Sequence, residues 1–163
     1  MGRAKSSSKP VAVAEPVLTH QSTANSVQQQ QIPWFPPSPN GFKLNVDVAT
    51  NFEQKKLGIG AILRDHDGMV VAALSKVVQG SFRSDEMEAK SLFHALNWAS
   101  QLQLSITHIE TDALRVSTTL NSATSDLSSF SNFIFDVRCL LSFFLGVLVS
   151  HVKRTANQAA HLL

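Results

Sequence analysis

Three acidic residues stand at positions that suit apolar or structural side chains. Asp47 interrupts a strand pattern between Val46 and Val48. Glu88 shares a helical face with Leu92, Ala95 and Ala99, and Asp112 ends an apolar strand and opens a helix. Hard divalent cations take oxygen ligands, and carboxylates supply most of them. Hydrolysis of a phosphodiester by two metal ions needs several carboxylates converging on one spot. Each residue also has a plainer reading. Asp112 reads equally well as a helix N-cap and Glu88 as a solvated first-turn acid, whereas the edge-strand reading of Asp47 is the weaker of its two. The residues are 41 and 24 positions apart, so only the fold can bring them together.

The elements that must position them follow from periodicity. Phe42, Leu44, Val46 and Val48 alternate with Lys43, Asn45 and Asp47, which predicts a strand with one apolar face and Asp47 on the other. Leu57–Arg64 and Met69–Lys76 predict two more strands, joined as a hairpin by the turn chemistry of Asp65–Gly68. Ser84–Leu102 reads as a helix, with Ser84 as its cap and Asp85 and Glu86 suited to its positive end. Then come a strand at Ser105–Thr111, short and longer helices at Ala113–Asn121 and Leu127–Phe144, and a strand at Val147–Lys153. Ala156–Leu163 begins a last helix that the end of the sequence cuts off. This order predicts an α/β fold. Its five-stranded mixed sheet has three antiparallel meander strands and then two parallel ones, with helices on both faces.

Residues 1–33 hold no hydrophobic period and are rich in Ser, Gln, Ala and Val, so they read as a disordered tail ahead of a domain at 34–163. Trp34 and Phe35, within a proline-rich lead-in, read as folding back onto that domain. The chain has 163 residues, 44% of them hydrophobic, enough for one core. Of its 14 Lys and Arg and 12 Asp and Glu, the tail holds three basic residues and one acidic. The domain keeps eleven of each. That balance excludes nucleic-acid binding by bulk charge and leaves only local contacts. The single cysteine, Cys139, excludes an intrachain disulfide framework and a Cys-rich zinc site, and its apolar helix reads it as an inert core thiol. No stretch reaches the roughly 18 apolar residues of a membrane span, and the N-terminus has no signal-peptide core. The expectation is a cytoplasmic or nuclear monomer that is neither membrane-bound nor secreted.

Five segments resemble, in order and spacing, a type 1 ribonuclease H domain of the version common in plant non-LTR retroelements and related reverse-transcriptase-like proteins. PWFPPSPNGFKLNVDVAT is similar to that family's W-x-P-P…G-x-x-K-x-N-x-D-G-A opening, and LGIGAILRDHDG to its G-x-G hairpin. MEAKSLFHALNWA is similar to its A-E-x-x-A-L helix, IETDAL to its E-x-D-S strand end, and HVKRTANQAAHLL to its H-V-x-R-x-x-N terminus.

The resemblance implies that Asp47, Glu88 and Asp112 are catalytic and bind two Mg²⁺ ions, with Mn²⁺ as a substitute, to cut the RNA strand of an RNA–DNA hybrid. It places His161 at the family's fourth acidic position, as a further catalytic residue. Lys153 and Arg154 then become the candidate nucleic-acid-binding residues. Val48 stands where the family has Gly, Ala113 where it has Ser, and Met87 where it has Ala. Those departures keep a second expectation open: the same fold, derived from a retroelement, holding nucleic acid or protein with little or no cleavage.

Overall fold

The computed structural model describes residues 33–122 and 128–163, all within a compact unit spanning Gln31–Leu163. The expected tail lies outside the described residues except for Pro33. Five strands form one sheet: β1 Phe42–Asn51, β2 Lys56–Arg64, β3 Val70–Gln79, β4 Ile106–Thr111 and β5 Leu148–His151. Their order is β3-β2-β1-β4-β5. The β1–β2 and β2–β3 pairs are antiparallel, and β1–β4 and β4–β5 are parallel. Among the described residues, four α-helices accompany the sheet: α1 Ser84–Ser100, α2 Leu114–Leu120, α3 Ser129–Leu141 and α4 Gln158–His161. Among the described residues no helix is long and apolar enough to cross a membrane.

The core lies between α1 and one face of the sheet. Leu44, Val46, Ala61 and Leu63 meet Leu92, Ala95, Leu96 and Ala99, with Ile134 and Val137 of α3 behind them. Because side chains alternate across a strand, Lys43, Asn45 and Asp47 point to the opposite face. That face is buried too. The polar half of β1 is therefore covered rather than solvated. Over Asn45 and Asp47 the cover is α4 and the residue that caps it, since Asn157 reaches Asn45 and His161 reaches Asp47.

Several local expectations are corrected. The last helix breaks at Asn157. A one-turn 3-10 helix, Arg154–Ala156, precedes it and α4 follows, since Asn157 leaves helical geometry to turn its side chain into the sheet. Ser84 is the first residue of α1 and not its cap. The cap position is Arg83, whose backbone N–H donates to Glu86 at 3.0 Å. Cys139 is exposed, because Phe130, Ile134 and Val137 define the buried stripe of α3 and residue 139 falls off it. Trp34 packs half-buried against Arg64, whereas Phe35 is 62% exposed. The hairpin turn follows its chemistry: Asp65 Oδ1 accepts from the amides of Asp67 and Met69, and Gly68 takes φ 80°.

Candidate carboxylate site

Strand register brings the first two acids together. On the parallel pair β1–β4, Val46 is the partner of Thr111, the last residue of β4. Asp47 and Asp112 are the next residues on each chain, on neighbouring paths about 4.8 Å apart. Glu88 arrives from the first turn of α1. That helix is held at its N-terminus by the Arg83–Glu86 contact and by Ser129, whose hydroxyl donates to Glu86. These two hydrogen bonds, Ser129 first, lower the Glu86 pKa from its ordinary range.

The two aspartates are only half satisfied, and no hydrogen bond to the Glu88 carboxyl is seen among the described residues. Asp47 is 2% exposed. Its Oδ2 lies 2.5 Å from His161 Nδ1, and an ionised carboxylate can only accept, so the ring nitrogen carries the proton there. Asp112 Oδ2 accepts from Arg154 Nε at 3.2 Å. Asp47 Oδ1, Glu88 Oε2 and Asp112 Oδ1 are buried without any hydrogen-bond partner. Orphaned buried polar atoms are rare, and each calls for a bound ion, a water or a functional reason. Burial, and then the charges of Asp112 and Asp47, push Glu88 up to about pKa 7, against a smaller opposing pull from Arg154. Oxygen donors of this kind suit a hard divalent cation. The cage is not closed in advance, however: among the described residues no three His, Cys, Asp or Glu side chains are already gathered for a metal ion.

Neighbouring residues shape the approach. A hollow of about 460 Å³ opens beside Glu88, between the start of α1 and that of α2. A smaller one, about 160 Å³, is lined by Asp47, Gly60 and His161. Val48 borders this hollow as well. It packs with Leu57, Ile59 and Met87, so the bulk that replaces a family glycine is spent on a small second core. Ala113, at the position of a family serine, starts α2 with its amide on Thr111 Oγ1 at 3.2 Å. The acids just before Glu88 are compensated, Asp85 by Arg115 and Arg83 and Glu86 by its hydrogen bonds. Gly60 is obligatory, because a Cβ there would collide with the Ala160 carbonyl and lift α4 from β2. Lys153 and Arg154 are exposed at the end of β5, and only Arg154 touches one of the acids.

Beside this site runs a polar network that periodicity did not disclose. Lys43 Nζ donates to Glu110 Oε1 at 2.6 Å and to the Phe35 carbonyl at 2.7 Å. Asn45 Nδ2 donates to Glu110 Oε2 at 2.8 Å and Trp34 Nε1 to Asn45 Oδ1 at 3.0 Å. Asn157 accepts from Asn45 at 3.3 Å and donates to the Val46 carbonyl at 2.8 Å. Asn157 thereby ties α4, and His161 on it, to the backbone immediately before Asp47. The alternation of β1 marked Lys43 and Asn45 as its polar face. What it could not mark was that another element covers that face.

Comparison with known proteins agrees with this architecture. The sequence profile described as reverse transcriptase-like matches residues 45–163. A search of curated protein sequences finds no match. Among solved structures, RNase H1 from the halophilic archaeon Halobacterium salinarum superimposes with a TM-score of 0.67 at 23% identity, covering 75% of this chain and 92% of that one. The N-terminal RNase H domain of rv2228c from Mycobacterium tuberculosis gives 0.66 at 18%, over 76% and 89%. LC11-RNase H1, from a compost metagenome and solved in complex with RNA/DNA hybrid, gives 0.64 at 15%, over 75% and 92%. At such identities the likeness shows the fold, which is ribonuclease H-like.

Proposed function

The chain belongs to the reverse transcriptase-like family, and from that premise we propose that it is a metal-dependent endonuclease cutting the RNA strand of RNA–DNA hybrids, of the kind found in plant retroelements. The observation that carries the reading is the trio of buried, unpartnered oxygens on Asp47, Glu88 and Asp112. These residues would hold two Mg²⁺ ions, which supply an activated water and stabilise the leaving oxygen at the scissile phosphate.

The chain's own residues do the rest. Asp47 and Asp112 offer one oxygen each to the site while the other is held by His161 and Arg154. The buried Glu88 carboxyl carries a proton up to about neutral pH in the metal-free protein. His161 contributes a nitrogen where a carboxylate would add charge, which favours Mn²⁺ over Mg²⁺. Lys153, exposed at the end of β5, supports a phosphate contact, which makes binding salt-dependent. The hybrid as substrate is supported by the fold shared with LC11-RNase H1.

A second reading is a ribonuclease H-like module that holds nucleic acid without cutting. It is favoured by the occupation of Asp47 and Asp112 by side chains of the same chain. A cleavage assay on RNA–DNA hybrid with Mg²⁺ and with Mn²⁺, beside double-stranded RNA and DNA, separates the two. Metal-dependent cutting of hybrid alone, faster with Mn²⁺, and a gain with Mg²⁺ in His161→Asp, is the expected result. Binding without cutting under both metals overturns the enzyme reading.

A further inference from the structure

The Arg154 side chain is 64% exposed, while that of Asp112, whose carboxylate its guanidinium holds, is 12% exposed. Among the described residues Asp112 is its only hydrogen-bonded partner, and the contact is single, through Nε to Oδ2. An arginine locked for structure grips a carboxylate with both prongs of its fork. Here one prong holds, the second Asp112 oxygen stays unpartnered, and the arm lies in solvent. Arg154 opens the 3-10 turn directly after the exposed Lys153, on the same edge of the carboxylate centre.

From this geometry we infer that Arg154 is a built-in counter-ion of the centre, holding Asp112 while no divalent cation is there and releasing it when one arrives, its guanidinium then turning to a phosphate of the bound nucleic acid. The inference rests on the metal-centre reading above and assigns a residue that couples metal occupancy to substrate binding. Its physical basis is competition. A divalent cation on Asp112 and a guanidinium on the same carboxylate repel each other, so each weakens the other by the same factor. An exposed single-pronged ion pair is worth little, so the barrier to release is low. The approach of a second cation also explains why the arm needs a solvent-facing path, which its exposure supplies.

The test uses the full chain and needs no turnover. Mg²⁺ binding is measured by titration calorimetry on the parent, Arg154→Ala and Arg154→Lys. Hybrid binding is measured by fluorescence anisotropy with a 2′-fluoro-substituted, uncuttable strand, in Mg²⁺ and in EDTA. Arg154→Ala is expected to bind Mg²⁺ roughly two- to fivefold tighter, the worth of an exposed ion pair. It should bind hybrid more weakly in Mg²⁺ but equally in EDTA, and Arg154→Lys should restore most of both effects. Unchanged or weaker Mg²⁺ binding by Arg154→Ala overturns the counter-ion role and leaves the metal centre standing. Equal loss of hybrid binding with and without Mg²⁺ overturns the release. If neither parent nor variants bind Mg²⁺, the metal-centre reading itself fails and this inference with it.

Discussion

Two clusters of buried charge lie along the same polar face of β1, and they are built on opposite plans. In one, Lys43 and Glu110 form a 2.6 Å ion pair, and both Glu110 oxygens are taken. In the other, around Asp47 further along the same strand, Asp47, Glu88 and Asp112 each leave one buried oxygen without a partner. The first cluster is neutral within itself and closed. The second gathers acidic groups against one permanently charged partner, the largely exposed Arg154 on Asp112. On the proposed metal-centre reading, the oxygens left over in the second cluster are the ones a divalent cation would take. Partial satisfaction is the expensive choice in a low-dielectric interior, because an unpaired polar group there forfeits its water without replacement.

Breaking the closed cluster should have the largest effect on stability. Glu110→Ala strands the Lys43 ammonium in the interior and is expected to cost about 3–5 kcal/mol, read from urea denaturation. Lys43→Met combined with Glu110→Leu should recover most of that loss, because the charges leave together. A loss below about 1 kcal/mol for Glu110→Ala would erase the contrast between the clusters.

The open cluster should answer the other way. Asp47→Asn removes ligand charge at nearly constant volume. Cleavage of hybrid is expected to fall about a hundredfold or more, since several kcal/mol of charge stabilisation is lost. Unfolding in EDTA should show a stability equal to or above the parent's, because one repelling charge is gone. A destabilisation matching Glu110→Ala would mean that both clusters are structural.

Asn157 joins the two clusters, so its effect should be intermediate. Asn157→Ala leaves the Val46 carbonyl and the Asn45 amide short of a partner and is expected to cost about 1–3 kcal/mol. It should also loosen α4, visible as faster amide exchange at Ala160 and His161, whose N–H groups bond to the Asn157 carbonyl. Normal protection there would show that α4 is held by Gly60 and Ala160 packing alone.

The smallest effect is a pH slope. Glu88 rises from its ordinary 4.5 to about 7 on folding, through burial first and then the charges of Asp112 and Asp47. A raised carboxyl favours the folded state while protonated. Its contribution is whole below about pH 4.5 and is lost as pH climbs through 7. In EDTA, thermal stability should therefore decline across that window, and Glu88→Gln should flatten the decline. Glu86 acts with the opposite sign, adding stability above the ordinary carboxyl range and losing it on acidification, because its hydrogen bonds favour the ionised form. A Glu88→Gln protein with the parent's slope would remove Glu88 from the open cluster.

Much of the frame was legible in the chain. Alternation over Phe42–Val48, turn chemistry at Asp65–Gly68 and helical spacing from Glu88 to Ala99 are local signals, set by side-chain direction within one element, and the sheet order and mixed pairing follow from their succession. Asp47, Glu88 and Asp112 stood out for the same reason, as acids inside apolar patterns. Element ends were less legible. Lys76 and Gln79 read alike in isolation, and only pairing with β2 carries β3 to Gln79. Cys139 needed the true stripe of α3 before its exposure could be known.

What the sequence determined by itself is the set of elements, their order and the three acids, because periodicity and residue type are properties of short stretches. The tertiary structure alone decided which polar groups are consumed and which are left over. Glu110 sits in IETD only two residues before Asp112, yet it ends paired with Lys43 while Asp112 keeps an oxygen in reserve. That difference depends on the register of β1 against β4 and on α4 closing over the far face of the sheet. Those are contacts between residues 65 to 112 positions apart, and satisfaction of a buried charge is a property of such contacts and not of the residue that carries it.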